Sequence, residues 1–538
     1  IESQPLVTGR CVALWPPENI RGPLKTMEEV VGHQESEPDP ENAEPDPENA
    51  APVVDFMADW ISKMEVISPE VLRAVPVSAA IRSLNRWGKD LDQYSKSFAT
   101  VQIDEFWSHS WQMRPWKKVS SLLFLKRGLP AGIMGTLGAL LGCALTGFSL
   151  LPSSFPFGKI SLWGTIFGFV MFFLTLLLWP TREGVFLDAC CIHQTNLRKK
   201  ADGIRSMSGI LKRSKRMLVL WDKTYVQRLW CMFELAAFLK SRGEGSKASV
   251  QIRPTLLGPC VLAIVLSVST FFIVIVAMFS YGWNRLDMMI VTCMALLVLT
   301  YPAAAVFRDY FHTVQTLHDQ LQEFRLANTK CYCCTVGHVT EKGQPLPLCD
   351  RQILTKCISI WFGSHQGFED DARSLVMESF SDQLGHHYFP YWLWLVATSP
   401  ILWVLLDITV DHMRQDHEET ERWPYWFISA LGWWMGAVPT CAAAFFYSCN
   451  LLSKPRTNQW IDRIVNLLVV LVMLPIFAST FLVIEGLSLW MMPLSPWLSA
   501  TISSSSHIAL AIVVWNAPAA CFFGTHTSKH TSKRGNVL

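Results

Sequence analysis

Charge is scarce in this chain and nearly balanced. Of 538 residues 17% are charged, and 46 Lys and Arg against 44 Asp and Glu leave a formal net charge of +2. A protein that neutralises phosphates needs a clustered basic face, so nucleic acid is not expected among its partners. No secretory leader pattern precedes the first long apolar run, which makes that run the expected internal targeting signal. The opening Ile1 reads as a processed or truncated end. What the chain has in quantity is apolar residues: half of it is hydrophobic, and the mean hydropathy is +0.25.

Runs of about 20 apolar residues are long enough to cross a bilayer as helices. Eight are expected, at 129–151, 158–179, 256–281, 287–307, 390–410, 424–449, 465–490 and 507–524. Trp or Tyr near many of their ends suits the headgroup region. Prolines within several of them (Pro302, Pro400, Pro439, Pro475, Pro518) are tolerable where neighbouring helices satisfy the freed carbonyls. An even number of crossings puts both termini on one side with 180–255, 308–389 and 450–464. Only short links near 152–157, 282–286, 411–423 and 491–506 lie opposite. Segment 180–255 carries 15 Lys and Arg against 6 Asp and Glu, whereas the link DHMRQDHEETERW is acidic. The cationic side, with both termini, is therefore expected in the cytoplasm. All 15 cysteines fall in spans or on that side, so no extracellular disulfide framework is implied.

Residues 1–54 hold the tandem repeat EPDPENAEPDPENA, acidic and proline-rich, which cannot bury a core and reads as a disordered tether. In 55–128 a helical cover (DFMADWISKMEV, VSAAIRSLNRW) precedes a first strand and helix. Hairpins at 129–179 and 256–307 bracket 180–255. A Cys-containing helical segment fills 308–389, four spans follow in 390–524, and 525–538 is a basic tail. In 308–389, CYCCTVGH with Cys349 offers thiols and an imidazole. Structural zinc sites usually show paired C-x2–4-C spacing at both ends, and only one cluster is present, so no metal is assigned. These cysteines read as reduced thiols or lipidation sites. CDRQILTKCISIWFGS and FEDDARSLVMESFSDQLG alternate as two amphipathic helices.

The soluble pieces, taken in order, alternate strand and helix. VQIDEFWSH is a strand followed by a helix to about Lys126, and GVFLD is a short buried strand. LRKKADGIRSMSGILKRS is an amphipathic helix, KRMLVLW a strand, RLWCMFELAAFLK a helix, and ASVQIRP a possible fourth strand. That alternation implies a parallel sheet covered by helices, here interrupted by a membrane hairpin.

FWSHSW, then VFLDACCIHQ, then LKRSKRMLVLWDKTY and RLWCMFEL resemble in order the motifs of a TIR domain. FLDACCIHQ is also similar to the D-x-x-C-I-x-Q signature of HET domains, which are TIR relatives from self/non-self recognition. The resemblance covers the soluble parts of 101–254 in two pieces. It departs from the family where Trp111-Gln112-Met113 replaces the usual G-x-D and where no fifth strand is evident. The fold so implied is an α-helical multi-pass membrane protein with a cytoplasmic α/β flavodoxin-like parallel-sheet module, split by a membrane hairpin. VQIDEFWSH would lie between GVFLD and KRMLVLW, and the ligand crevice would open at the carboxyl ends of the first and third strands.

Catalytic TIR domains consume NAD, and the resemblance places their essential glutamate at Glu234, with NAD as substrate and no cofactor required. It also implies self-assembly of the module into a homo-oligomer. Cleaving the nicotinamide–ribose bond develops an oxocarbenium ion that one carboxylate can steady, and the leaving group needs no proton. Ser108, His109, Asp188, Trp221 and Trp230 are the candidates for holding the nucleotide. Each has a plain alternative. Glu234 serves equally as an N-terminal helix acid, Asp188 as a turn acid, Trp230 and Cys231 as core, and His109 as an exposed loop residue. A non-catalytic adaptor is the second functional reading, and a transporter or channel the third. For the third, Asp407 and Glu485 are the ionisable groups inside spans, but their places near span ends favour snorkelling, and no inverted repeat marks a transporter site. The eight-span arrangement has a direct check. Tags in 411–423 and at the C-terminus should be reached by protease or label from opposite faces of the membrane; access from one face overturns it.

Overall fold

The computed structural model describes residues 47–86, 93–152, 156–157, 160–243, 249–339, 348–384, 389–414, 423–491 and 495–516. Residues 1–46, the acidic link 415–422 and the basic tail lie outside the described residues, but the last four residues of the N-terminal repeat, expected within a disordered tether reaching to 54, instead open the helix Pro47–Ser62. The chain divides into two compact units. One takes in the described residues up to Leu122 with Pro180–Thr255 and Gln315–Gln383; the other takes in Leu123–Trp179, Leu256–Val314 and the described residues from Leu384 on. The stretch 123–179 is thus excluded from a unit whose halves flank it in sequence.

The strands described are β1 (Arg73–Pro76), β2 (Phe98–Ala99), β3 (Ile103–His109), β4 (Pro156–Phe157), β5 (Ile160–Ser161), β6 (Gly184–Phe186), β7 (Ser214–Trp221) and β8 (Val250–Pro254). In the first unit six of them form one sheet in the order β2-β1-β6-β3-β7-β8. β6, β3, β7 and β8 run parallel, with Glu105 opposite Val185, Phe106 opposite Met217 and Trp221 opposite Pro254. VQIDEFWSH therefore pairs between GVF and KRMLVLW, and ASVQIRP does contribute a strand. β1 and β2 add an antiparallel edge. That edge is new relative to the sequence reading, because RAVP and FA are too short for a period-2 pattern and depend on β6 for partners.

The central strand is buried on both faces: Ile103, Phe106 and Trp107 are all but inaccessible, as befits a parallel strand covered by helices. Glu105 is also buried and accepts a 2.7 Å hydrogen bond from Trp107 Nε1. The expected helical cover is present. Helix Pro47–Ser62 meets Met207–Lys212, where Ser208 Oγ donates to Ile61 O at 2.6 Å. It also meets Asp350–Phe362, where Trp361 Nε1 donates to Ser62 O at 2.9 Å. Of the expected segment 308–389, Gln315–Gln383 belongs to this unit and 308–314 to the other.

Among the described residues seven helices are long and apolar enough to cross a membrane: Pro115–Gly147, Leu257–Met278, Ile290–Gln322, Tyr391–Arg414, Trp423–Leu451, Gln459–Ile476 and Pro496–Asn516. The expected span 158–179 is the exception. It is helical only over the 16 residues Trp163–Leu178, about 24 Å at 1.5 Å per residue and short of a hydrocarbon core of about 30 Å. The preceding residues are spent in the β4–β5 ribbon. The expected outer link 491–506 is also largely helical, because Pro496–Asn516 starts well before residue 507. This early start is fixed by close packing, with Ser504 and His507 lying where a Cβ on Gly432 or Gly436 would sit.

Asp407 does not snorkel. It is 1% exposed and accepts from Gly164 N, Thr165 N and Thr165 Oγ1, each at 2.8 Å. Those are orphan donors of the first turn of Trp163–Leu178, so the carboxylate caps that helix from another. The Glu485 side chain lies outside the described residues. The two helices of 123–179 approach through Gly138 and Gly142 of one and Gly164 of the other, whereas Gly168 faces the Trp403 ring. A Cβ on Gly142 would sit 2.5 Å from Trp163 O, whereas one on Gly486 would meet nothing within 4 Å. Alanine normally stabilises a helix relative to glycine by about 1 kcal/mol. Overpacking costs about 1–3 kcal/mol. Gly142→Ala should lower the melting temperature of the detergent-solubilised protein and Gly486→Ala should not. An unchanged Gly142→Ala would refute the close approach.

Candidate active site

Four elements of the first unit converge where the parallel strands end. β3 delivers Ser108 and His109, and Ser110 follows. Asp188 stands just beyond β6, Asp222, Thr224 and Tyr225 follow β7, and helix Leu229–Lys240 carries Glu234. Strand ends in such a sheet leave backbone groups and side chains free of the ladder, which is why crevices form there.

Ser108 Oγ donates to Glu234 Oε2 at 2.5 Å and lies 2.7 Å from Tyr225 Oη. Tyr225 Oη is in turn 3.4 Å from Cys231 O. Serine has a single proton to give, so with it on the carboxylate the tyrosine donates its own single proton to the serine at 2.7 Å in preference to Cys231 O at 3.4 Å. Glu234 is the sixth residue of its helix and half-buried. The dipole-paired helix acid is corrected by that position, since the dipole effect fades beyond the first turn. Burial pushes the Glu234 carboxyl up to about 8, the negative Asp188 adds to the rise, and the Ser108 hydrogen bond opposes it.

Asp188 is half-buried at the start of the short helix Asp188–Cys191. Ala189 N donates to Oδ1 at 2.8 Å. Burial raises its carboxyl to about 6, against the pull of that bond, the Lys118 ammonium and a hydrogen bond from Trp111. Lys118 is 3% exposed; its Nζ donates to Ser110 O at 2.6 Å and lies 5.3 Å from the centre of the Trp111 ring. Asp222 is buried and accepts from Thr224 N at 2.7 Å and Thr224 Oγ1 at 2.6 Å. Burial raises its carboxyl as well. The site therefore holds three carboxyls displaced toward the neutral form and one buried cation. Displaced groups clustered in this way mark functional sites more often than ordinary surface acids do.

The sequence candidates separate. Ser108, Glu234 and Asp188 come together. His109 ends β3 and is 6% exposed, so the exposed-loop reading is corrected. Its ring lies 4.3 Å from Trp111, Nε2 has no hydrogen-bond partner among the described residues, and burial holds its pKa well below the ordinary imidazole value. Trp221 is 1% exposed under Tyr225, with ring centres 4.9 Å apart, and acts as the floor of the site. Trp230 packs on Phe233 at 5.6 Å, and Phe233 on Trp361 at 5.5 Å; none of these contacts is with the Ser108–Glu234 pair. Cys231 is buried core and donates to His109 O at 3.7 Å. Tyr225 and Lys118 carry no distinctive signal in the sequence, because a tyrosine after a strand or a lysine in a first helical turn is commonplace; Asp222 is legible as the residue at the carboxyl end of KRMLVLW, where the crevice is expected. No family model, no curated protein and no solved structure matches this chain.

The raised Glu234 carboxyl has a consequence for stability. Between the ordinary value of 4.5 and about 8 the folded chain holds a proton that the unfolded chain has released. Folding therefore weakens as pH rises through that window. Glu234→Gln removes this liability while keeping the size and the Ser108 contact. The variant's melting temperature should rise relative to wild type between about pH 5 and pH 8 and then level off. A difference independent of pH would show that the carboxyl is not so displaced.

Proposed function

We propose that this is a multi-pass membrane protein whose first unit is a TIR/HET-like module on the cytoplasmic side. It acts in signalling or defence by cleaving NAD at the nicotinamide–ribose bond through Glu234. The hydrogen bond from Ser108, at the carboxyl end of β3, to Glu234 supports this most directly, because in a 2-1-3-4 parallel order the carboxyl ends of β3 and β7 are the switch point at which ligands usually bind.

In the reaction the C–N bond breaks with its electron pair going to the pyridinium ring, which leaves as neutral nicotinamide. Water then adds to the ribosyl cation and releases a proton. Glu234 faces the cation and Ser108 fixes its carboxylate. The half-buried setting strengthens that attraction relative to water. Asp188 and the Trp111 ring stand beside the place proposed for the ribose, and the buried Tyr225 holds Ser108 from below. Assembly into a homo-oligomer through the module brings these loops into order.

Only the ionised Glu234 works in this scheme, so kcat/KM for NAD should climb toward a plateau above about pH 8, the value of its carboxyl. Ser108→Ala should move that limb to higher pH, since the lost bond favours the charged form. Glu234→Gln should lose about a hundred- to thousandfold in rate, as for other preorganised electrostatic contacts. The assay follows nicotinamide release from the full chain in membranes, crowded to favour assembly. A wild type shown to be oligomeric that leaves NAD untouched would make the module an adaptor.

A further inference from the structure

We propose that Cys333, Cys334, His338 and Cys349 bind one zinc ion, which fixes the loop against which the Glu234 helix starts. The ligand atoms of these four side chains all lie within 4.8 Å of one another. The sulfur separations are 3.9 Å for Cys333–Cys334, 3.9 Å for Cys333–Cys349 and 3.6 Å for Cys334–Cys349. Zinc–sulfur bonds of about 2.3 Å in a tetrahedron put sulfurs about 3.8 Å apart. The three thiols already have the edge lengths of that figure.

His338 supplies the fourth corner. It takes a left-handed φ of 58°, directly after Gly337 at 69°. A non-glycine residue adopts that conformation only where its surroundings hold it there. This tight turn folds the imidazole back onto the cysteines, within hydrogen-bond reach of the Cys349 sulfur. The backbone N–H of Gln352 donates to the Cys349 sulfur, the kind of second contact that orients a thiolate ligand. Cys331 lies 3.2 Å from Cys333 and forms a second group with Cys333 and Asp350. That group offers only three ligands, one of them a hard oxygen. Three thiolates with an imidazole complete a closed structural zinc site.

The site is independent of whatever chemistry Glu234 performs. Lys330 stands beside it in sequence: its N–H donates to Gln227 O at 2.6 Å and its carbonyl accepts from Leu229 N at 3.1 Å. Leu229 is the first residue of the helix that carries Glu234, so the loop satisfies one of its orphan donors. A zinc ion joining 333–338 to Cys349 would hold that loop in place.

The test is metal analysis of the full-length protein purified without chelator. One zinc per chain is expected. Cobalt exchanged into the wild type should give the intense visible bands of a tetrahedral thiolate site, a readout that does not require any variant to fold. Cys333→Ser with Cys349→Ser should abolish both signals, and Cys331→Ser should keep them. Wild type that carries no zinc and takes up neither zinc nor cobalt would overturn the proposal. So would metal-free protein with a disulfide among these cysteines, full metal content in the double variant, or loss on Cys331→Ser with retention on Cys334→Ser.

Discussion

The first unit depends on the pairing of β3 with β7. The register runs from Ile103 opposite Ser214 to His109 opposite Leu220, between segments separated in sequence by the whole of 123–179. Parallel strands have no tight turn to hold them, so their stability comes from side chains packed on both faces. Here Phe106 stacks on Phe186 at 4.8 Å, and Met217, Leu218 and Val219 are buried. With that pairing in place, β6 and β8 have edges to join, and the turns that follow β3, β6 and β7 end up side by side. Without it Ser108 and Glu234 would have no reason to meet.

The polar cluster at those strand ends costs stability and is held by the apolar frame around it. Removing three carboxyls from water is unfavourable, and each is offset by local donors: Ser108 for Glu234, Ala189 N–H for Asp188, Thr224 for Asp222. One cation, Lys118, serves both aspartates. The frame beneath is aromatic and rigid, with Trp221 and Tyr225 wholly buried. Strained or expensive groups persist only where such packing determines their positions. Reading the cluster as an NAD-cleaving site remains our proposal; the arrangement of acids, hydroxyls and one cation is independent of it.

The second unit answers a different constraint. Its long helices are apolar enough to cross a membrane, and in such an apolar solvent helices would gain little from hydrophobic burial and associate through close packing and hydrogen bonds. Gly142 against Trp163, and Gly432 and Gly436 against Ser504 and His507, provide the close approach. Buried polar groups provide the bonds: Asp407 to Gly164 and Thr165, Trp515 Nε1 to Pro439 O at 3.0 Å, and Arg308 Nη2 to Asp462 Oδ1 at 2.8 Å. An acid in this setting therefore does not by itself mark a transport path. The π-helical turn Trp433–Ala437 lies just before Pro439, where the missing proline donor makes an irregular turn inexpensive.

By itself the sequence determined the elements whose signal is periodic and local. The strands IDEFWSH, GVF, SKRMLVLW and VQIRP, the cover helices and the long apolar runs are all legible from spacing, because backbone geometry fixes which residues share a face. The meeting of Ser108 with Glu234 was half legible, through motif order and the switch-point rule. Other features had no local signal. RAVP became a strand only because β6 offered an edge. The run 158–179 lost length to a ribbon, and Asp407 became a cap because a helix start lay across from it. Tyr225 and Lys118 joined the site through turns whose directions the sequence does not encode. Cys349 reached Cys333, Cys334 and His338 although the chain lacks the paired spacing that announces such a site. Tertiary packing decided these, since contacts between residues distant in sequence depend on how every intervening element is buried.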